Sequence, residues 1–320
     1  MDKKRVIIDV DAGVDDALAI ILALRSPELE VVAITTVSGN VNVALATKNV
    51  LRVLTLIADD KWPVVAKGAG VPLNNESQSA HSIHGEDGLG DLGEAYYPSL
   101  DWDRISPQSA VECMLRFIRA EPSAITIVAT GPLTNIATAI RTDPSVMARV
   151  KEIIAMSGAI EVPGNIEPLH IAEFNAYADP DALSEVLAFS ASVPITLVPL
   201  DVTHSVSLMR NVACAKLSGS PKIITKFAYD CSIKYMDSNQ RIASMDGAYL
   251  HDPLAVGVAI NPSLVTRSAR RIDVDISKAL TRGTTKLHHT SGVSGNEPNC
   301  WTTMSVKAQC FLDMFLERIT

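Results

Sequence analysis

Short runs of Val and Ile alternate, over the first two-thirds of the chain, with longer segments in which apolar residues recur every three or four positions. The runs at 5–10, 31–37, 63–66, 124–129, 152–157 and 194–198 are apolar at consecutive positions, the pattern of strands covered on both faces. The segments 16–25, 43–58, 107–120, 133–141 and 180–189 carry helical spacing, and several open on Asp, Asp-Pro or Ser-Pro, residues that cap a helix or fill its first turn. Strand and helix in alternation predict repeated βαβ units. The fold class is therefore α/β, with a Rossmann-like, mostly parallel central sheet flanked by helices. Past residue 200 the pattern is mainly helical to about 260. Alternating segments follow near 265–276, 284–289 and 302–306, and an amphipathic helix closes the chain over 307–319. This C-terminal part reads as a helical and strand elaboration of one domain spanning 1–320, because no repeat, low-complexity tract or linker divides it.

Composition narrows the partners. A chain of 320 residues, 47% of them hydrophobic, can bury a large core. The net charge of -8 comes with no block of Lys or Arg, so neither nucleic acid nor an anionic membrane is expected as a partner, and small ligands are. The five cysteines at 113, 214, 231, 300 and 310 are an odd number without a Cys-x-x-Cys pair, which predicts reduced, buried thiols rather than disulfides or a zinc site. The N-terminus passes from Met1-Asp2-Lys3-Lys4-Arg5 straight into the strand-like Val6-Ile7-Ile8, and a cytoplasmic protein is expected. The sequon Asn75-Glu76-Ser77 carries little weight in such a chain.

Ligands of open α/β sheets gather at the carboxyl ends of the strands, and there the first strand ends in Asp9-Val10-Asp11-Ala12-Gly13-Val14-Asp15-Asp16. Four carboxylates stand where a dinucleotide fold has glycines, which argues against a phosphate cradle. Asp9 and Asp11 share a strand face by the period of two, Gly13 permits a tight turn, and Asp15 and Asp16 suit the positive end of the next helix. One such Asp is ordinarily just a cap or a turn residue. Four together, taken out of water, are severely unfavourable without a cation. With oxygen donors only and no His or Cys in the motif, the ion is Ca2+ or Mg2+ rather than zinc.

The run Asp9 to Ala17 resembles the opening motif of the inosine-uridine nucleoside hydrolases, Asp-x-Asp-Pro-Gly-x-Asp-Asp-Ala, with Ala12 in place of proline. The resemblance continues in family order through Gly39-Asn40, His84-Gly85-Glu86-Asp87-Gly88-Leu89-Gly90, Thr130-Gly131-Pro132-Leu133-Thr134-Asn135, Glu173-Phe174-Asn175 with Asp179-Pro180, and His251-Asp252-Pro253-Leu254-Ala255. It implies Ca2+ held by Asp11, Asp16, Asp252 and the main-chain carbonyl of Thr130, with a metal-bound water as nucleophile and Asp11 as its base. It implies that Asp15, Asn40, Asn165, Glu173 and Asn175 grip the ribose hydroxyls, and that carboxylates around the sugar favour an oxocarbenium-like transition state. Glu173 follows Asn165 by eight positions, a longer spacing than in some relatives. Phe174 could cover the sugar or base, or simply pack.

His251, beside Asp252, is the expected leaving-group acid for the departing base. Purine-preferring relatives tend to carry Trp at this point, so His251 favours a nonspecific or pyrimidine-preferring enzyme. His84, in the glycine-rich loop after the third strand, is expected to contact the base at most. Tyr229, Tyr235 and Tyr249 fall near the base side without a firm match to the family's tyrosine. His81, His170, His204, His288 and His289 show no ligand-like spacing and are expected to be structural or exposed. The resemblance implies a ribonucleoside substrate and a homodimer or homotetramer. Two other classes share part of this pattern. A Mg2+-dependent haloacid-dehalogenase-like phosphatase also opens on Asp-x-Asp, but it needs Ser/Thr and Lys for phosphate. A catalytically silent nucleoside or ribose sensor would use the same binding groups, and Asp11 with His251 argues for turnover instead.

Overall fold

The computed structural model describes residues 3–58, 61–74, 78–288 and 297–320; the sequon at 75–77 and His289 lie outside the described residues. Twelve strands occur among them: β1 Lys4–Val10, β2 Leu29–Thr36, β3 Val64–Lys67, β4 Ile125–Ala129, β5 Glu152–Ala155, β6 Ile195–Leu197, β7 Ser207–Met209, β8 Gly247–Tyr249, β9 Val265–Arg270, β10 Ile272–Val274, β11 Thr285–Leu287 and β12 Cys300–Val306. Eight form one sheet in the order β3-β2-β1-β4-β5-β6-β12-β9, while β10 pairs with β11 and β7 with β8. Every pairing in the large sheet is parallel except β12 with β9.

The consecutive apolar positions of β1 have the predicted cause. Val6, Ile8 and Val10 enter one hydrophobic cluster and Ile7 the other, so both faces of the strand are covered. The helices Val14–Leu24, Val43–Ile57, Ile223–Ala243, His251–Ile260 and Ala308–Ile319 supply the first cluster. Ala110–Ala120, Thr134–Thr142 and Pro180–Ala188 supply the second. The strand order reverses between β1 and β4, and at such a switch point the loops part to leave a crevice. Thr130 N donates to the Asp9 carbonyl at 2.8 Å and Val37 N to that of Val10 at 2.9 Å, holding the three strand ends together.

The predicted strand centres hold, and their limits shift by one or two residues. The helix expected over 107–120 begins at Ala110, because Ser109 and Glu112 cap it reciprocally and the Ser106-Pro107 pair lies outside. The stretch expected to be mainly helical after 200 also contains β7 and β8. His84 ends a helical turn, His81–His84, rather than lying in open loop. Cys113, Cys231 and Cys300 are buried, whereas Cys214 and Cys310 are exposed, and all five are free. Among the described residues no helix is long and apolar enough to cross a membrane.

Candidate active site

The acidic turn after β1 is built on close backbone approach. Ala12 takes a φ of +44°, a left-handed conformation closed to proline, whose ring fixes φ near about -65°; the departure from the family pattern thus has a local physical counterpart. A Cβ on Gly39 would stand 2.0 Å from Asp11 Oδ2, and one on Gly13 would stand 2.7 Å from the Asn40 amide nitrogen. Asn49 donates to the carbonyls of Ala12 at 3.1 Å and Asp87 at 2.9 Å, tying the acidic turn to the loop that follows His84. The buried Arg52 in turn donates to Asn49 Oδ1 at 2.9 Å.

Asp9, Asp11, Asp15, Asp16 and Asp252 are all buried. Asp9 sits beneath the cavity, accepting from Thr35 Oγ1 at 2.5 Å and Asn135 Nδ2 at 2.8 Å; its Oδ2 has no partner, and burial raises its pKa to about 7. Asp11 accepts from the Asn40 main chain at 2.7 Å and side-chain amide at 3.0 Å. Asp16 accepts from Gly13 N, Asn40 Nδ2 and Thr130 Oγ1 at 2.8, 3.1 and 2.6 Å. Asp15 Oδ1 is buried without a partner. Burial first, then the Asp16 charge, lifts Asp15 to about 8. Burial and the neighbouring carboxylates push Asp11 and Asp252 well above the ordinary range, and burial also raises Asp16.

Asp15, Asp16 and Asp252 bring carboxylate oxygens within 4.8 Å of one another. A donor set made wholly of oxygen, in which burial raises all three pKa values and neighbouring carboxylates raise those of Asp15 and Asp252 further, fits a hard divalent cation.

A cavity of about 540 Å3 opens over this cluster, lined by Asp15, Asn40, His84, Thr130, Asn165, Glu173, Phe174, Asn175, His251 and Asp252 among others. The expected site residues therefore converge, with Asp11 and Asp16 set just behind the lining. Three take on more protein contacts than expected. Both Asn40 amide bonds go to Asp11 and Asp16. Glu173 caps the helix Phe174–Ala178, accepting from Asn175 N at 2.7 Å and Ala176 N at 3.0 Å, and also from Gly158 N at 2.9 Å. Asn175 Nδ2 donates to the carbonyls of Thr130 at 2.7 Å and Met156 at 3.0 Å, which leaves its oxygen for a sugar hydroxyl. Asn165 is exposed and Phe174 half-buried at the rim.

On the base side, Val14 N donates to His84 Nδ1 at 3.1 Å, so the neutral ring carries its hydrogen on Nε2. His84 stacks on Tyr235 with centroids 5.2 Å apart. His251 Nδ1 lies 2.7 Å from Thr203 Oγ1, and its ring contacts those of Tyr249 and His204 at 5.3 and 5.6 Å. Burial lowers both His84 and His251 to about 3, so both are neutral hydrogen-bond donors at neutral pH. His204 and His170 line the cavity too, which their spacing in sequence did not signal. Tyr229 does not line it. Asn49, Asn135 and Thr203 were missed as supports because their partners lie 37 or more residues away. No Lys or Arg is among the lining residues described, which removes the cation a phosphatase would need.

The family model of the inosine-uridine preferring nucleoside hydrolases matches residues 6–313. The pyrimidine-specific ribonucleoside hydrolase RihA of Salmonella agona is 36% identical over 318 residues, covering 98% of this chain and 97% of that protein, and the RihA of Citrobacter koseri gives the same figures. Among solved structures, a plant nucleoside hydrolase, the PpNRh1 enzyme, aligns with a TM-score of 0.91 at 33% identity over 100% of this chain and 99% of its own. The purine-preferring ribonucleoside hydrolase of Gardnerella vaginalis aligns at 0.88 and 31% identity over 99% and 98%. With the acidic switch-point cluster and the cavity above it in place, these matches show that the chain belongs to the inosine-uridine preferring nucleoside hydrolase family.

Proposed function

We propose that this ribonucleoside hydrolase prefers pyrimidine nucleosides, releases free base and ribose, and holds Ca2+ through Asp11, Asp16, Asp252 and the main-chain carbonyl of Thr130. The observation that carries the reading is the pairing of an all-oxygen carboxylate cluster with two neutral imidazoles across one cavity. When bound, the ion supplies Lewis acidity that lets water lose a proton near neutral pH. Asp11 takes that proton on its carboxylate. Asp15, through its unpartnered Oδ1, and Asn175, through its free oxygen, accept hydrogen bonds from the ribose hydroxyls, while Asn165, Glu173 and Asn40 shape the sugar's surroundings. The carboxylates stabilise positive charge developing on the sugar ring more than they stabilise the neutral substrate. His251 is the donor to the departing base, and His84 contacts it from the other side.

Pyrimidine preference is supported by the RihA relatives and by the engagement of two of the three tyrosines that line the cavity, Tyr235 and Tyr249, with histidine rings, so that no two of the three are free to sandwich a purine. Residence in the cytoplasm, one domain over 1–320 and assembly as a homodimer or homotetramer belong to the same proposal; the placing of β12 beside β6 supports one domain. The test is release of base and ribose from uridine, cytidine, inosine and guanosine, and of phosphate from uridine 5′-monophosphate, for wild type and Asp11→Ala with and without chelator. The expected result is turnover of uridine and cytidine at least about 10-fold faster than of the purine nucleosides, a difference one specific contact can supply, with activity lost in the variant and under chelation. Faster purine turnover would overturn the base preference, and saturable binding without release of base would favour a sensor.

A further inference from the structure

His251 can serve the departing base only if its hydrogen sits on the nitrogen that faces the cavity. A neutral imidazole carries one hydrogen, and the group bonded to the other nitrogen decides where it goes. At His251 that group is Thr203, whose Oγ1 lies 2.7 Å from Nδ1. Thr203 is fully buried, at the end of the short helix Leu200–Thr203 that follows β6. Among the described residues its hydroxyl meets no other hydrogen-bond partner. If Nδ1 carried the hydrogen, it would donate to Oγ1 and leave the hydroxyl hydrogen buried without an acceptor, an arrangement proteins avoid. The hydroxyl therefore donates to Nδ1, and Nε2 carries the hydrogen. Nε2 has no partner among the described residues, and His251 lines the cavity. The rings of Tyr249 and His204 hold the plane of the imidazole but offer its nitrogens no competing bond.

We propose that Thr203 is a positioning residue for this reaction: by donating to His251 Nδ1, it fixes the tautomer that presents Nε2–H to the leaving base. The opposite tautomer would aim a lone pair at a base that is gaining electrons as the glycosidic bond breaks, and would oppose its departure. The proposal rests on His251 as the leaving-group donor, and the experiment separates the two.

Thr203→Val keeps the shape and deletes the hydroxyl; Thr203→Ser keeps the hydroxyl. Each is assayed with uridine and with p-nitrophenyl β-D-ribofuranoside, whose leaving group departs as a stable anion and needs no donor. Thr203→Val is expected to lower kcat for uridine by about 10- to 100-fold, the range for losing a partner that orients a functional histidine. KM and turnover of the aryl riboside should stay within about twofold, and Thr203→Ser should restore uridine turnover. Equal losses on both substrates, or no rescue by Ser, would make Thr203 a packing residue and overturn the proposal. Should Val pack badly, Thr203→Ala replaces it with the same expected split. His251→Ala is the control. If it slows both substrates alike, the reading of His251 fails. If it separates them while Thr203→Val does not, the proposal alone fails.

Discussion

At the scale of single residues the site depends on backbone that side chains cannot be added to. Gly39 is the sharpest case, since a Cβ there would stand 2.0 Å from Asp11 Oδ2, whose carboxylate is held in place by the Asn40 main chain and side-chain amide. Gly39→Ala is therefore expected to displace Asp11 by about an ångström and to lower kcat/KM by at least about 100-fold, with weaker Ca2+ binding by calorimetry. Gly219→Ala, where an added Cβ meets nothing within 4 Å, should leave both unchanged. Retained calcium affinity in Gly39→Ala would show that Asp11 is not fixed by this contact. The acids themselves were legible in sequence because four in eight positions have no cheap structural explanation. Their supports were not. Asn49 and Asn135 are single polar residues on helices, and nothing local marks that one reaches the Ala12 carbonyl and the other Asp9. The same holds for Thr203, 48 positions from His251.

Elements were legible where burial imposed a pattern. Strands covered on both faces appear as unbroken apolar runs, and β1, β2 and β4 were placed to within two residues. The three-residue β7 and β8 and the single turn His81–His84 are too short for a period to show. Helix starts were legible only as residue types: Asp179-Pro180 does open a helix, whereas Ser106-Pro107 does not. The two true caps differ in burial. Ser109 exchanges bonds with Glu112 at the surface. Asp179, fully buried, accepts from Ala182 N, Leu73 N and Thr134 Oγ1 at 3.1, 2.9 and 2.7 Å. Ser109→Ala should thus cost about 1 kcal/mol, whereas Asp179→Ala leaves three inward donors unmet and should cost about 3 kcal/mol. Scanning calorimetry should place the Tm of Asp179→Ala lower by about 4 °C and that of Ser109→Ala by about 1.5 °C, given the size scaling of unfolding entropy. Equal shifts would mean that the Asp179 bonds add nothing beyond a surface cap.

For the whole molecule, the consequence of this topology is where the charge lies. The sheet order puts β1 between β2 and β4, with helices packed on both faces, so the acidic turn is enclosed by three strand ends and two layers rather than exposed on a loop. Sequence alternation made the parallel sheet legible, but not the insertion of β12 beside β6, since a strand more than 100 residues downstream leaves no local trace of its partner. Burial raises the pKa values of Asp11, Asp15, Asp16 and Asp252, and the neighbouring carboxylates raise those of Asp11, Asp15 and Asp252 further. A cation that binds the native cluster and not the unfolded chain removes that repulsion only when the protein is folded, so it must stabilise the fold by mass action. At a hundredfold excess of free Ca2+ over its Kd the gain is about 2.7 kcal/mol, a rise of about 4 °C in Tm for a chain of this length by the same entropy scaling. The rise should grow with the logarithm of free calcium, vanish with chelator and be much reduced in Asp252→Asn. Mg2+, which demands a stricter octahedral shell and gives up water reluctantly, should produce a smaller shift at equal concentration. A Tm indifferent to calcium up to millimolar would mean that the cluster holds its charge by protonation alone, and the proposed metal ligands would fall with it.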